Sequence, residues 1–253
     1  MEQENTTSTG KKRDLMLPVS IVIAAVLIAG AIFYKAGTPV SETPKTARDI
    51  FLNPVAVTVP PITEADHVRG SRDASLKIIE YSDLECPYCQ DFHGTMQQVM
   101  SVYGDKVAWV YRDFPLVEIH PKAVPLAEAA ECIAAQSGND AYWNFLDRIF
   151  AIPSISDFSL EPAPAGTASL ISVATALDVD TEKLQACRDA RTYQAQVESE
   201  RADGIAAGAE GTPYAIVISP KGNTYVIPGA LPFDTSDPDS VSVREILEAA
   251  LKN

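Results

Sequence analysis

Leu76 to Tyr81 is a short strand-like run that stops at Ser82 and Asp83, and Cys86-Pro87-Tyr88-Cys89 follows soon after, ahead of a stretch with helical character. Two cysteines three positions apart at a strand-to-helix junction leave few folds open. In the first turn of a helix the backbone N–H groups have no partner within the helix, and the helix dipole is positive there. A cysteine at that point is biased toward the thiolate, the form that attacks a disulfide. Pro87 suits the first turn, where its missing N–H costs nothing. Cys89, one turn further in, lies on the same face and can attack a mixed disulfide to release product. The Pro87-Tyr88 dipeptide lacks one donor and adds an aromatic edge beside the sulfur. It is expected to tune the redox poise and to lie against a substrate.

A CxxC has two other uses, half of a zinc site and a plain structural disulfide. Zinc needs a second pair of ligands. Cys132 and Cys187 stand far apart and outside any CxxC, and His67, His93 and His120 form no HxxxH. No metal is expected. No nucleotide cofactor is implied either, because two sulfurs carry the electrons.

Residues 15–34 form an uncharged run of twenty, which as a helix spans roughly 30 Å, one hydrocarbon core. Lys11, Lys12 and Arg13 precede it and only Lys35 follows closely. The positive-inside rule then places residues 1–14 in the cytoplasm and the rest of the chain outside. A cleaved signal peptide is the competing reading, with Ala29-Gly30-Ala31 as a passable cleavage site, but its apolar core should be shorter, roughly 7 to 15 residues. The net charge of −14 falls downstream of the run. A surface this acidic repels phosphate backbones, so nucleic acid is not an expected partner.

Residues 35–65, with Pro39, Pro44, Pro54, Pro60 and Pro61 among scattered Ser and Thr, read as an extended tether. The folded part is expected over 66–253. Leu76–Tyr81 reads as a strand, Pro87–Tyr103 as a helix stopped by Gly104, and Val107–Tyr111 as a strand buried on both faces. An all-helical stretch follows over about 120–208, interrupted by a Ser-, Pro- and Ala-rich loop at 151–167. Strand signals return at Tyr214–Ile218 and Thr224–Ile227, joined by the turn Lys221-Gly222-Asn223. An amphipathic helix from Val243 closes the chain, with Ser242 and Glu245 as its capping box. This order is α/β with an inserted helical subdomain.

Tyr81-Ser82-Asp83-Leu84-Glu85-Cys86-Pro87-Tyr88-Cys89, then Asp113-Phe114-Pro115-Leu116 and His120-Pro121, then Gly211-Thr212-Pro213, resembles the DsbA-like extracytoplasmic thiol–disulfide oxidoreductases of bacteria. The resemblance runs from about His67 to the C-terminus and implies a thioredoxin-like fold. It makes Cys86 the exposed nucleophile, Cys89 the resolving cysteine and Pro213 the cis-proline beside them. Thr212 then offers its backbone N–H and C=O to an incoming peptide as an added strand. Phe233–Ser240 is longer than the family pattern before the last helix. Glu85, next to the nucleophile, is expected to oppose the thiolate somewhat.

Cys132 and Cys187 are either two buried free thiols or a second, structural disulfide, and an even cysteine count in an oxidising compartment favours the disulfide. Such a link would contribute roughly 4 kcal/mol in the chain-entropy picture. His93 reads as a solvated helix residue rather than a charge near the site, and His120 as structural. Tyr142, Trp143, Phe145 and Phe150 read as core, or alternatively as the floor of a peptide groove.

The chain is thus expected to exchange disulfides with cysteines of exported proteins, as an oxidase reset by a redox partner in the membrane. An isomerase or reductase is the nearest rival. A thioredoxin-fold metal carrier is the rival from another class, although the extra Met and His ligands of a copper carrier are missing.

Overall fold

The computed structural model describes residues 47–253, apart from residue 165. The uncharged run at 15–34, read as a membrane anchor, lies outside the described residues. Among the described residues no helix is long and apolar enough to cross a membrane.

The described residues form one five-stranded sheet in the order β1-β3-β2-β4-β5. The strands are β1 (His67–Gly70), β2 (Leu76–Ser82), β3 (Val107–Asp113), β4 (Tyr214–Ile218) and β5 (Thr224–Ile227). β2 and β3 run parallel, and every other neighbouring pair is antiparallel. All of β3 is buried, as expected of a continuous apolar run covered on both faces. A parallel pair needs a crossover, and α2 (Pro87–Tyr103) provides it. The crossover sets the first turn of α2 at the carboxyl end of β2, in the middle of the sheet. Gly104 ends the helix with φ 54°, a left-handed conformation that glycine adopts without a Cβ clash.

Between β3 and β4 lie α3 (Ala123–Phe150), α4 (Leu170–Thr175), α5 (Thr181–Asp189) and α6 (Gln194–Ala206). Gly138 breaks α3, with φ 79° and ψ −176°. The helical insert is bound to the sheet at its β1 edge. His67 stacks on Tyr142 at 3.6 Å, and Trp109 packs on Trp143 at 4.6 Å. Arg69 grips both carboxylate oxygens of Asp147 at 3.0 and 2.7 Å. The closing helix α7 (Val243–Lys252) has the expected capping box between Ser242 and Glu245.

Two apolar clusters sandwich the sheet. The larger holds the inward faces of α2, α3 and α7. The smaller, on the opposite face, holds Ile79, Tyr81, Val110, Phe114 and Ile216. The stretch taken as extended tether over 35–65 contains α1 (Ala47–Leu52), and its later part is a docked strap. Val57, Val59 and Ile62 pack on the smaller cluster. Val55 N–H donates to Thr224 O at 2.8 Å, and the Thr224 hydroxyl donates back to Val55 O, on the edge strand β5. The buried Arg112 guanidinium donates to Pro60 O and Pro61 O and pairs with Asp66 at 2.8 Å. Arg48 pairs with Glu245 and donates to Ser240 O at 2.8 Å, which pins the long Phe233–Ser240 segment. A six-residue helix is too short to register as periodicity, and prolines conceal a strap held through carbonyl oxygens.

Glycine substitutions separate packing from propensity. A Cβ on Gly204 in α6 would lie 2.6 Å from Phe114 and 2.8 Å from Tyr81, whereas one on Gly94 in α2 meets nothing within 4 Å. Gly204→Ala should therefore destabilise by about 1–3 kcal/mol, and Gly94→Ala should stabilise by about 0.5–1 kcal/mol. Denaturant unfolding of both variants checks this, and shifts of the same sign would contradict it.

Candidate active site

Cys86 occupies the N-cap position of α2, with φ −78° and ψ 123°, and Pro87 opens the helix. Cys86 is only 4% exposed, Cys89 is fully buried, and Tyr88 is 65% exposed. Both cysteines carry free thiols. The backbone turn is tight: Cys86 N–H donates to Asp83 O at 3.0 Å, and Cys89 N–H donates to Cys86 O at 3.1 Å. Across from the helix, the Cys86 thiol lies 3.6 Å from Thr212 O, on a Thr212–Pro213 peptide bond that is cis. Thr212, Pro213 and the dithiol, far apart in sequence, are thus brought together, while Pro87 and Tyr88 face outward beside them.

The two sulfurs differ in their protons. A hydrogen bond from the Cys89 thiol is the largest influence on Cys86 and pulls it down to about 6. Burial opposes this, and the first-turn N–H groups of Cys89 and Tyr88 assist. Burial first, then the facing Cys86 sulfur, pushes Cys89 well above the ordinary thiol range. One proton therefore rests on Cys89 while Cys86 is a thiolate. Asp83 N–H also points at the Cys89 sulfur, at 3.4 Å.

The Glu85 carboxylate accepts from Lys122 N–H at 2.5 Å, and burial is the largest influence opposing the Cys86 thiolate. His93, expected on a solvated face, is buried against Trp109 and Phe150 and bonds Asp147 at 2.7 Å. It faces the helical insert, whose presence on that side of α2 has no local signal. Burial lowers its affinity for a proton. His120 bonds Asp83 at 2.8 Å, a structural contact. Tyr142, Trp143 and Phe145 are core, while Phe150, also largely buried, lines a cavity next to Cys86.

Sequence reasoning missed several residues. Asp83 is the hub of the site loop: one carboxylate oxygen takes Glu85 N–H at 2.7 Å, and the other takes Leu116 N–H and His120 Nδ1, both at 2.8 Å. The bond two residues onward is an Asx turn, which Asp83 ahead of Glu85 could have signalled. Glu80, fully buried on β2, accepts from Trp109 Nε1 at 2.8 Å, and burial raises it to about 7. A carboxyl poised there holds or releases a proton near neutral pH. Burial also raises Glu200 to about 7, where it accepts Asp113 N–H at 2.7 Å, and its carboxylate oxygens cluster with those of Asp113 and Glu131 within 4.8 Å. His67 takes up Glu131 at 3.1 Å. Cys132 and Cys187 are joined, S–S 1.99 Å, and tie α3 to α5 within the insert.

A family profile described as thioredoxin matches residues 62–221, which contain the dithiol, the insert and the cis bond. The chain is a member of the thioredoxin family. Its architecture is the DsbA-like form. Pseudomonas aeruginosa DsbA2 superposes with a TM-score of 0.57 at 22% identity, over 75% of this chain and 94% of that one. Oxidised BdbD from Bacillus subtilis gives 0.58 at 19% identity, over 79% of this chain and 98% of that one. Among curated proteins, one named Na(+)/H(+) antiporter NhaA from Herminiimonas arsenicoxydans is 32% identical over 208 residues, which are 82% of this chain. The match spans only 30% of that relative's length. Its two free thiols, three residues apart at a helix start, stand in the arrangement that dithiol–disulfide exchange needs.

The thiolate assignment has a direct test. Ultraviolet thiolate absorbance of the reduced protein should titrate with a midpoint of about 6, so alkylation of Cys86 should accelerate through that pH rather than through about 8.5. Cys89→Ala removes the principal donor and should raise the midpoint. A parent titrating at the free-cysteine value, or a variant that titrates unchanged, would contradict the assignment.

Proposed function

We propose that this chain inserts disulfides into exported proteins, with Cys86 as nucleophile and Cys89 as resolving cysteine. The carrying observation is the opposed pair of thiols, Cys86 held low by Cys89 and Cys89 held high. Stabilising the reduced pair makes the disulfide form a strong electron acceptor. A substrate thiolate attacks Cys86 Sγ of the oxidised pair. The Cys86–Cys89 bond breaks, Cys89 leaves with the electron pair and takes a proton, and a mixed disulfide remains on Cys86. The substrate's second thiolate attacks its own sulfur in that mixed disulfide and expels the Cys86 thiolate. Two electrons have then moved from substrate to enzyme, and of the two protons lost by the substrate thiols one rests on Cys89 and the other goes to solvent. Thr212, whose carbonyl lies 3.6 Å from the Cys86 sulfur, offers main-chain groups against which an extended substrate pairs.

The reaction belongs outside the cytoplasm, with residues 15–34 as a retained anchor and residues 1–14 inside. Support comes from the basic cluster ahead of the run and from the disulfide in the insert, a bond favoured in oxidising compartments. The antiporter name of a relative also associates this kind of domain with a membrane protein, although antiport itself is not carried over from a partial match. A quinone-linked membrane oxidase would accept the two electrons and restore the disulfide.

The full chain with Cys89→Ala, expressed in a bacterium, should sediment with membranes and accumulate mixed disulfides with exported proteins, formed as the Cys86 thiolate attacks a disulfide of the exported protein and displaces one of its thiolates, with no Cys89 to resolve the adduct. Cys86→Ala should accumulate none. Adducts with cytoplasmic proteins alone, or trapping by Cys86→Ala in place of Cys89→Ala, would contradict the proposal.

A further inference from the structure

When a thiolate attacks Cys86, the Cys86–Cys89 bond must break toward Cys89, and that sulfur is a difficult leaving group. It is fully buried, so water cannot solvate the charge it takes up as the bond opens. A sulfur that is hard to ionise also leaves slowly. A dry site meets such a demand with fixed donors aimed at the atom where charge develops. Among the described residues one main-chain N–H reaches the Cys89 sulfur, that of Asp83, at 3.4 Å.

The peptide group that carries this N–H is held at its other end. Its oxygen, on Ser82, accepts Phe114 N–H at 2.7 Å, and a peptide whose carbonyl is hydrogen-bonded is polarised into a stronger donor. On the far side of the same residue, Asp83 O accepts Cys86 N–H at 3.0 Å. The Asp83 side chain supplies the remaining constraint. One oxygen accepts Glu85 N–H at 2.7 Å, and the other accepts Leu116 N–H and His120 Nδ1–H at 2.8 Å each. His120 is the donor in that bond, because a carboxylate only accepts. Phe114, Leu116 and His120 belong to one segment after β3, so the anchor on the Ser82 carbonyl and the anchors on the Asp83 carboxylate reinforce each other. Three donors also absorb the carboxylate's charge, which would otherwise oppose a thiolate close by.

Resting on the proposed exchange at Cys86, we infer that Asp83 and His120 are positioning residues for the leaving group: they aim the Asp83 main-chain N–H at the Cys89 sulfur, where it stabilises the thiolate formed as the Cys86–Cys89 bond breaks. Cys89 takes the electron pair, the N–H holds the new charge, and a proton released by the substrate thiols then neutralises it. The same N–H serves Cys89 in the reverse direction, when it attacks a mixed disulfide on Cys86. The nucleophile itself is left to the Cys89 thiol and the first turn of α2.

The test opens the disulfide with a probe that does not reverse. A water-soluble phosphine attacks Cys86 Sγ of the oxidised full-length protein, Cys89 departs as the thiolate, and water converts the phosphorus–sulfur adduct to phosphine oxide and the Cys86 thiol. Asp83→Ala and His120→Ala loosen the donor rather than remove it, and each should slow the opening about five- to tenfold. His120→Asn keeps a donor where Nδ1 lies and should recover at least about half of the parent rate. Iodoacetamide alkylation of Cys86 in the reduced proteins should stay within about twofold of the parent, since the N–H acts on the other sulfur. His120 is partly exposed, so its two variants decide the matter even where Asp83→Ala fails to fold. Parent-like opening in His120→Ala, no recovery in His120→Asn, or a loss of opening matched by an equal loss of alkylation overturns the positioning role while leaving the exchange reaction standing. A parent whose disulfide oxidises no dithiol peptide overturns the exchange reading and the positioning role with it.

Discussion

The sulfur of Cys86 carries its charge in a place from which most water has been removed. A thiolate there would be pushed toward protonation by burial alone. It is held instead by the Cys89 thiol behind it and by the first-turn N–H groups of α2. The same contact works in reverse on Cys89, which keeps its proton because it is buried and faces a negative sulfur. One shared proton thereby distinguishes the two sulfurs. In the proposed oxidase role, this stabilised reduced state is what would make the pair an acceptor of electrons.

Much of the surrounding structure exists to hold that contact. The parallel pair β2 and β3 sets the first turn of α2 at the end of the sheet. Asp83 fastens the loop before the dithiol to the segment after β3 through Leu116 and His120. Thr212, on the far side of the insert in sequence, is brought to the sulfur because β4 pairs with β2 directly. The insert is fastened to the site by anchors that include Arg69 and His93 on Asp147, Gln90 on the Phe150 carbonyl, and the stacked rings at His67 and Tyr142. The strap from α1 to Pro61 covers the sheet face opposite α2 together with α6, whose Gly204 lies against Tyr81 and Phe114.

The elements close to the dithiol were legible because their signals are local. A strand-like run, a CxxC and a proline at the first helical turn are all read within a dozen residues, and the capping box at Ser242 is read within four. The apolar run at Val107 announced a strand buried on both faces. What escaped is long-range or polar. β1 is only four residues long and pairs with β3, so it left no period to count. The strap is held by an arginine on proline carbonyls, which looks like a solvated linker in sequence. The burial of His93 and the engagement of Glu85 with Lys122 depend on where the insert packs, which neither residue's neighbours reveal. Glu80 reads as a polar residue in a strand pattern, and the indole of Trp109 on the neighbouring strand, which donates to it, shows how it is accommodated.

The central claim is that the contact between the two sulfurs stabilises the reduced pair and makes the chain an oxidant. Equilibration of the Cys86–Cys89 couple against glutathione buffers measures this most directly, with the reduced fraction read by alkylation and mass. The expected midpoint is at or above about −180 mV, the range of oxidising dithiol pairs. A midpoint near about −270 mV, as in a reducing thioredoxin, would contradict the claim.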